Sequence, residues 1–172
     1  MTRNSCLTLL VAAATLLIWK DGAVASDSLY RAKEAMALTA KQQGLFGPQS
    51  AKFKYDKRMV RAAEIAAARA RGHSISRCWR YVKQALLASK VIDSYPTTVY
   101  AKQAGTELQA KYGFKKVKIN DPFKAPLGSV LVYGGKGAGH VELRTSKGFV
   151  SDFASAKPSP RPLIGVYVKP PA

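Results

Sequence analysis

Thiols and imidazoles are scarce in this chain: its 172 residues hold two cysteines, Cys6 and Cys78, and two histidines, His73 and His140. So few soft ligands could hardly assemble a tetrahedral zinc site, and no metal or other cofactor is expected. Acidic residues are few as well, 10 against 28 Lys and Arg, for a formal net charge of +18. Long apolar runs reduce to one, "LTLLVAAATLLI" from Leu7 to Ile18, whose 12 residues are too short to span a bilayer as a helix. A P-loop is missing too. The glycine stretch "GGKGAG" at 134–139 is followed by no Lys-Ser or Lys-Thr pair at the right offset, which leaves a nucleotide site little support.

What is present at the N-terminus has an order of its own. Arg3 precedes the apolar run, and "AVA" at Ala23 to Ala25 follows it, with Ser26 next. Charge, apolar run and small residues in that sequence read as a secretory signal cleaved after Ala25, so export to the periplasm or the medium is expected. Cys6 lies before the run rather than after it, which argues against a lipid-modified cysteine.

The remaining residues, 26–172, read as a single catalytic domain with 29–72 as a helical N-terminal extension, and they are enough to bury roughly 68 to 70% of their unfolded surface. Without the leader, Cys78 is the only thiol, and an intramolecular disulfide is impossible. The charge left is +17, from 26 basic and 9 acidic residues. A field of that size attracts polyanions, and for an exported chain the first to be met are the acidic polymers of a bacterial envelope, peptidoglycan among the candidate partners. A nucleic-acid partner is not expected.

Helical patterns dominate the first part of the chain. "SLYRAKEAMALTAKQQG" stops at Gly44, and a second, alanine-rich helix is expected over about 55–71, with an apolar stripe at 59, 60, 63, 66 and 67. A third begins near Ser76 and runs to about Ser89, presenting Trp79, Val82, Leu86 and Leu87 inward. A fourth is expected over about 97–112, closed by Gly113 as a left-handed cap. Four strands follow, at 128–135, 139–145, 148–153 and 164–169, separated by Gly and Pro signals, with "GGKGAG" and "KPSPRP" as loops. Helices first and strands afterwards predict an α+β fold with an antiparallel sheet.

Cys78 stands in the first turn of the third helix if Ser76 is its cap. Unpaired N–H groups and the positive end of the helix dipole favour a thiolate there, with Arg77 and Arg80 pushing the same way. The competing reading is a small buried apolar side chain on the helix face. A nucleophilic cysteine needs a base, and the two histidines are the candidates. His73, in the turn at Gly72, reads as structural or exposed; His140 opens a strand directly after the glycine loop.

A carboxylate to orient His140 is available from Glu142 or Asp152. If "SKG" at 146–148 forms a three-residue loop, Thr145 pairs with Phe149, Glu142 faces Asp152 and His140 faces Ala154. Asp152 would then lie diagonal to His140 on the same face, at roughly 5.5 to 8 Å between Cβ atoms. A two-residue turn "SK" puts Asp152 on the opposite face. The three-residue loop is the expectation, and with it a Cys78, His140, Asp152 triad, Glu142 being the alternative orienting residue.

"CWRYV" at 78–82, "APLGSVLVYGG" at 125–135, "GHVEL" at 139–143 and "VSD" at 150–152 together resemble the CHAP and NlpC-like group of papain-fold cysteine peptidases and amidases. The resemblance covers about residues 73–153 and lies in the order and spacing of these segments. It implies a papain-like core with Cys78 as nucleophile, His140 as general base and Asp152 as orienting residue. It also implies hydrolysis of amide bonds in bacterial peptidoglycan, within the stem peptide or between it and muramic acid. Two departures are Arg77, where glutamine commonly precedes the nucleophile, and Gly128 and Ser129 in place of Gly-Asp. The first leaves the Cys78 backbone N–H as the expected oxyanion donor. Two other readings stay open: a non-catalytic basic protein docking on an envelope polymer or nucleic acid, and an acyltransferase or transglutaminase-like enzyme on the same fold. A protein inhibitor is a further conceivable partner.

Overall fold

"VLVY" at Val130–Tyr133 is buried at every position, and it lies at the centre of a six-stranded antiparallel sheet. The computed structural model describes residues 54–171, all within one compact unit, Gln42–Ala172. The expected leader and the first expected helix fall outside the described residues. Among the described residues, three α-helices precede the sheet: α1 (Arg58–Arg69), α2 (Cys78–Ala88) and α3 (Ala104–Tyr112), the last entered through a 3-10 turn at Ala101–Gln103. The strands are β1 (Lys115–Val117), β2 (Val130–Tyr133), β3 (His140–Thr145), β4 (Gly148–Val150), β5 (Ala154–Ser155) and β6 (Leu163–Val168), in spatial order β1-β6-β2-β3-β4-β5. The fold is α+β, with a papain-like core in which α2 packs against β3.

Helix α1 buries Met59, Ala62, Ala63 and Ala66, so its inward face is centred one position away from the expected stripe: Ala67 is exposed and Val60 half-buried. Small alanines on that face let α1 lie close to α2 and β3. Helix α2 buries Trp79, Val82 and Leu86 as its period predicts, while Leu87 is only half-buried. Each fully buried side chain of this kind contributes about 1.5 to 3 kcal/mol over its exposed state.

The fourth expected helix loses its first two turns for an identifiable reason. Thr97 and Thr98 give their backbone N–H groups and hydroxyls to the buried Glu107 carboxylate, with Thr97 N at 2.7 Å and Thr98 N at 3.0 Å. In turn, the Thr98 carbonyl accepts from Trp79 Nε1 at 3.2 Å and from Lys83 Nζ. The Thr98 carbonyl is thus taken, and the Lys102 N–H that would meet it in a helix donates to the Ala138 carbonyl at 2.9 Å instead, so the α-helix starts only at Ala104. It ends at Gly113 with φ 69°, the left-handed cap that the sequence predicts.

Strand β1 was absent from the sequence expectation because two of its three residues are exposed lysines and only Val117 turns inward. Lysines on a three-residue edge strand discourage pairing with another chain. The expected strand 148–153 ends at Val150 as β4, since Ser151 N–H turns back to the Phe153 carbonyl at 2.9 Å, and β5 begins beyond it at Ala154.

The β3–β4 hairpin has a two-residue turn, Ser146–Lys147. Thr145 pairs with Gly148, Arg144 with Phe149 and Leu143 with Val150. This corrects the expected three-residue loop by one position. The ladder also ends at Val150, so Asp152 lies in the turn between β4 and β5 instead of facing Glu142, and its carboxylate meets the backbone of Ile75 and Arg77.

Candidate active site

Cys78 is the first residue of α2, a free thiol that is half-buried against the core. As a first-turn residue it has a backbone N–H without an intrahelical acceptor. The expected serine cap is not there: Arg77 occupies the cap position without a side-chain bond, and Ser76 is left-handed with φ 60°.

His140 is the first residue of β3 and pairs across the hairpin with Tyr133. Gly139 brings it there. Its φ is 76°, and a Cβ would fall 2.5 Å from the Tyr133 carbonyl oxygen and 2.8 Å from Lys102 Cβ, so a side chain would push the glycine loop off the sheet. The loop is also tied to the 3-10 turn by Lys102 N–H donating to the Ala138 carbonyl at 2.9 Å. The imidazole is ringed by Tyr133 and Phe153, at 6.1 and 6.4 Å between centroids.

Glu142 is two residues along the same face of β3, and its Oε2 lies 3.3 Å from His140 Nε2. Its Oε1 accepts from the Tyr133 hydroxyl at 2.6 Å and from Ser159 N–H at 3.3 Å. The carboxylate is buried yet has partners on both oxygens. Burial works against a charged imidazole, but the hydrogen bonds the ring donates to Cys78 and Glu142, with the negative charge of each, outweigh it and raise the His140 pKa to about 9. Burial and the neighbouring Glu142 both push the Tyr133 hydroxyl far above its ordinary range, so it stays a donor.

The structure therefore brings Cys78, His140 and Glu142 together and places Asp152 elsewhere. Asp152 is fully buried, and its Oδ2 accepts from the backbone N–H of Ile75 at 2.8 Å and of Arg77 at 3.0 Å. The carboxylate beside the imidazole, expected from Asp152, is that of Glu142. His73 is exposed in the loop between α1 and α2, in line with its reading.

Cys78, His140 and Glu142 open onto a cleft of about 470 Å³. Its rim carries Lys136 from the glycine loop and Lys157 and Arg161 from the "KPSPRP" segment. The two loops are joined by Arg161 Nη1, which donates to the Lys136 carbonyl at 2.9 Å. Sequence reasoning missed Tyr133 and Ser159 as supports of Glu142. The six-residue glycine loop between β2 and β3 was the available signal for Tyr133, since a hairpin there sets it opposite His140. Ser159 meets Glu142 only through tertiary folding of an irregular loop. Among the described residues, no cluster of three His, Cys, Asp or Glu side chains is arranged to hold a metal ion.

No protein-family model and no curated protein matches the chain. Among solved structures, it is similar to a chain of the native type VI effector-immunity complex Tae3-Tai3 from Ralstonia pickettii, with 26% identity and a TM-score of 0.54 over 68% of this chain and 99% of that one. The selenomethionine form of the same complex aligns at 31% identity over 55% of this chain and 80% of that one, with a TM-score of 0.46.

Proposed function

We propose that this protein is an exported cysteine hydrolase that cleaves amide bonds in bacterial peptidoglycan, with Cys78 as nucleophile, His140 as general base and acid, and Glu142 as the orienting carboxylate. The observation that carries the reading is the alignment of a helix-start thiol, a strand imidazole and a buried carboxylate along one open cleft. Likeness to an effector-immunity complex supports a wall-directed role and a dedicated protein inhibitor as partner.

The chemistry follows from the groups in hand. Imidazolium at His140 stabilises a thiolate at Cys78, which attacks the scissile carbonyl and forms a C–S bond. The Cys78 N–H, free at the helix start, stabilises the tetrahedral oxyanion. As the C–N bond breaks, His140 gives its proton to the leaving amine. Water then attacks the thioester, His140 takes one of its protons, and the C–S bond breaks to release the carboxylic acid and restore the thiol. With Nε2 engaged by Glu142, Nδ1 is the nitrogen left to exchange protons with sulfur.

The test is digestion of purified peptidoglycan by the wild type and by Cys78→Ala, with fragments identified by mass spectrometry. New amino termini from the wild type alone support the proposal, and the fragment masses name the bond. Equal release by both proteins, or none by either, overturns it.

A further inference from the structure

We infer that Asp152 is a positioning residue for the nucleophile, acting through the Ser74–Arg77 segment that delivers Cys78 to the site; the inference rests on the hydrolase reading. It starts from a buried carboxylate that touches neither sulfur nor imidazole. Asp152 Oδ2 accepts from Ile75 N–H at 2.8 Å, Arg77 N–H at 3.0 Å and Ser74 Oγ at 3.4 Å, while Oδ1 accepts from Ser151 Oγ at 3.1 Å.

The two amides flank Ser76, whose left-handed φ of 60° aims both at one point. Alternate N–H groups converging in this way form a concave anion site, and here the protein's own side chain fills it. Burial opposes the charge on Asp152, but the amides of Arg77 and Ile75 hold its pKa below the ordinary carboxylate range. The main chain adds a further tie, because Arg71 N–H donates to the Asp152 carbonyl at 2.8 Å.

The loop between α1 and α2 is thus fastened near both ends to one residue, and the residue after its last anchor is Cys78. A serine held left-handed and a helix begun without a side-chain cap need an outside partner to stay in register. Asp152 supplies that partner. It sets where α2 begins, and so where the Cys78 thiol and N–H point relative to His140.

The role depends on hydrogen-bond acceptance rather than on charge at His140. Asp152→Asn keeps an oxygen for the two amides and turns its NH₂ toward Ser151 Oγ. Asp152→Ala leaves both amides without an acceptor, and Asp152→Glu keeps the charge but displaces it by one methylene.

The experiment measures the rate at which iodoacetamide alkylates Cys78 in full-length protein from about pH 5 to about pH 9, read by mass spectrometry of the Cys78 peptide so that Cys6 does not interfere. Circular dichroism and thermal melts check the fold of each variant. The expected result is Asp152→Asn within about threefold of the wild type across the range, and Asp152→Ala slower by about tenfold or more while folded. If Asp152→Ala does not fold, Asp152→Glu decides, with the same drop expected. Wild-type rates for Asp152→Ala or Asp152→Glu, or an equal drop in Asp152→Asn, would each overturn the inference. A reactive wild type that releases nothing from peptidoglycan would instead sink the hydrolase reading and leave the role of Asp152 standing.

Discussion

His140 Nε2 and Glu142 Oε2 lie 3.3 Å apart, two positions along one face of β3, so a single strand supplies both the proposed base and the proposed orienting group. The far oxygen of the carboxylate is fixed by the Tyr133 hydroxyl at 2.6 Å. Glu142→Gln keeps the shape and removes the charge. Its kcat on muropeptides is expected to fall about a hundredfold with little change in KM, while Asp152→Asn stays near wild type. The opposite ranking in steady-state kinetics would return the orienting role to Asp152.

The raised His140 pKa predicts an imidazolium at neutral pH. Following the ring protons by NMR should give a midpoint near 9, and Glu142→Gln should lower it. The stability consequence has a definite sign. A group whose pKa rises on folding contributes fully below its unfolded value, about 6.5, and loses that contribution as pH rises through about 9. Melting temperature should therefore decline across that window, and His140→Gln should flatten the decline; an unchanged slope would count against the ion-pair description.

Much of this site was legible because it depends on local pattern. The helix start at Cys78 and the strand start at His140 follow from period and from glycine punctuation, and both stand within a few residues of expectation. Asp152 was expected beside His140 by taking Gly148 into the turn and carrying strand pairing through residue 152, whereas Gly148 belongs to β4 and the ladder ends at Val150. Thr97 and Thr98 failed differently: their helical propensity was overruled by Glu107, ten and nine residues away. Local propensity cannot anticipate a carboxylate brought in by a later helix.

Tyr133 supports the site from the neighbouring strand. Tyr133→Phe removes the hydroxyl that donates to buried Glu142 and leaves Oε1 with Ser159 N–H. A cost of about 1 to 3 kcal/mol in denaturant unfolding is expected. Activity should fall less than in Glu142→Gln, because the carboxylate charge remains. A larger kinetic loss than in Glu142→Gln would mean that the tyrosine acts on substrate directly.

Glu107 gives a stability test away from the chemistry. Burial opposes its charge, but hydrogen bonds from Thr98 and Thr97 prevail and bring its pKa down to about 2. A carboxylate depressed on folding contributes above its ordinary pKa of 4.5 and loses that contribution as pH falls toward about 2. Glu107→Ala should therefore destabilise the protein at neutral pH by about 2 to 4 kcal/mol, with the gap to wild type narrowing in acid. Equal unfolding curves at pH 7 would show that the 97–98 segment is held by Trp79, Lys83 and Lys111 without Glu107.

The charge of the chain separates binding from cleavage. At +18 overall, with Lys136, Lys157 and Arg161 on the rim of the cleft, attraction to an anionic wall does not depend on the thiol. Cys78→Ala is therefore expected to sediment with insoluble peptidoglycan as well as wild type does, and both should release it as salt rises, affinity falling about tenfold or more between about 50 and about 200 mM. Only the wild type should shorten the polymer in the same tubes. Salt-insensitive binding would assign recognition to the cleft's shape instead of its field. Equal loss of binding in Cys78→Ala would mean that what sediments with the wild type is a covalent thioester rather than an electrostatic complex, which hydroxylamine treatment would release.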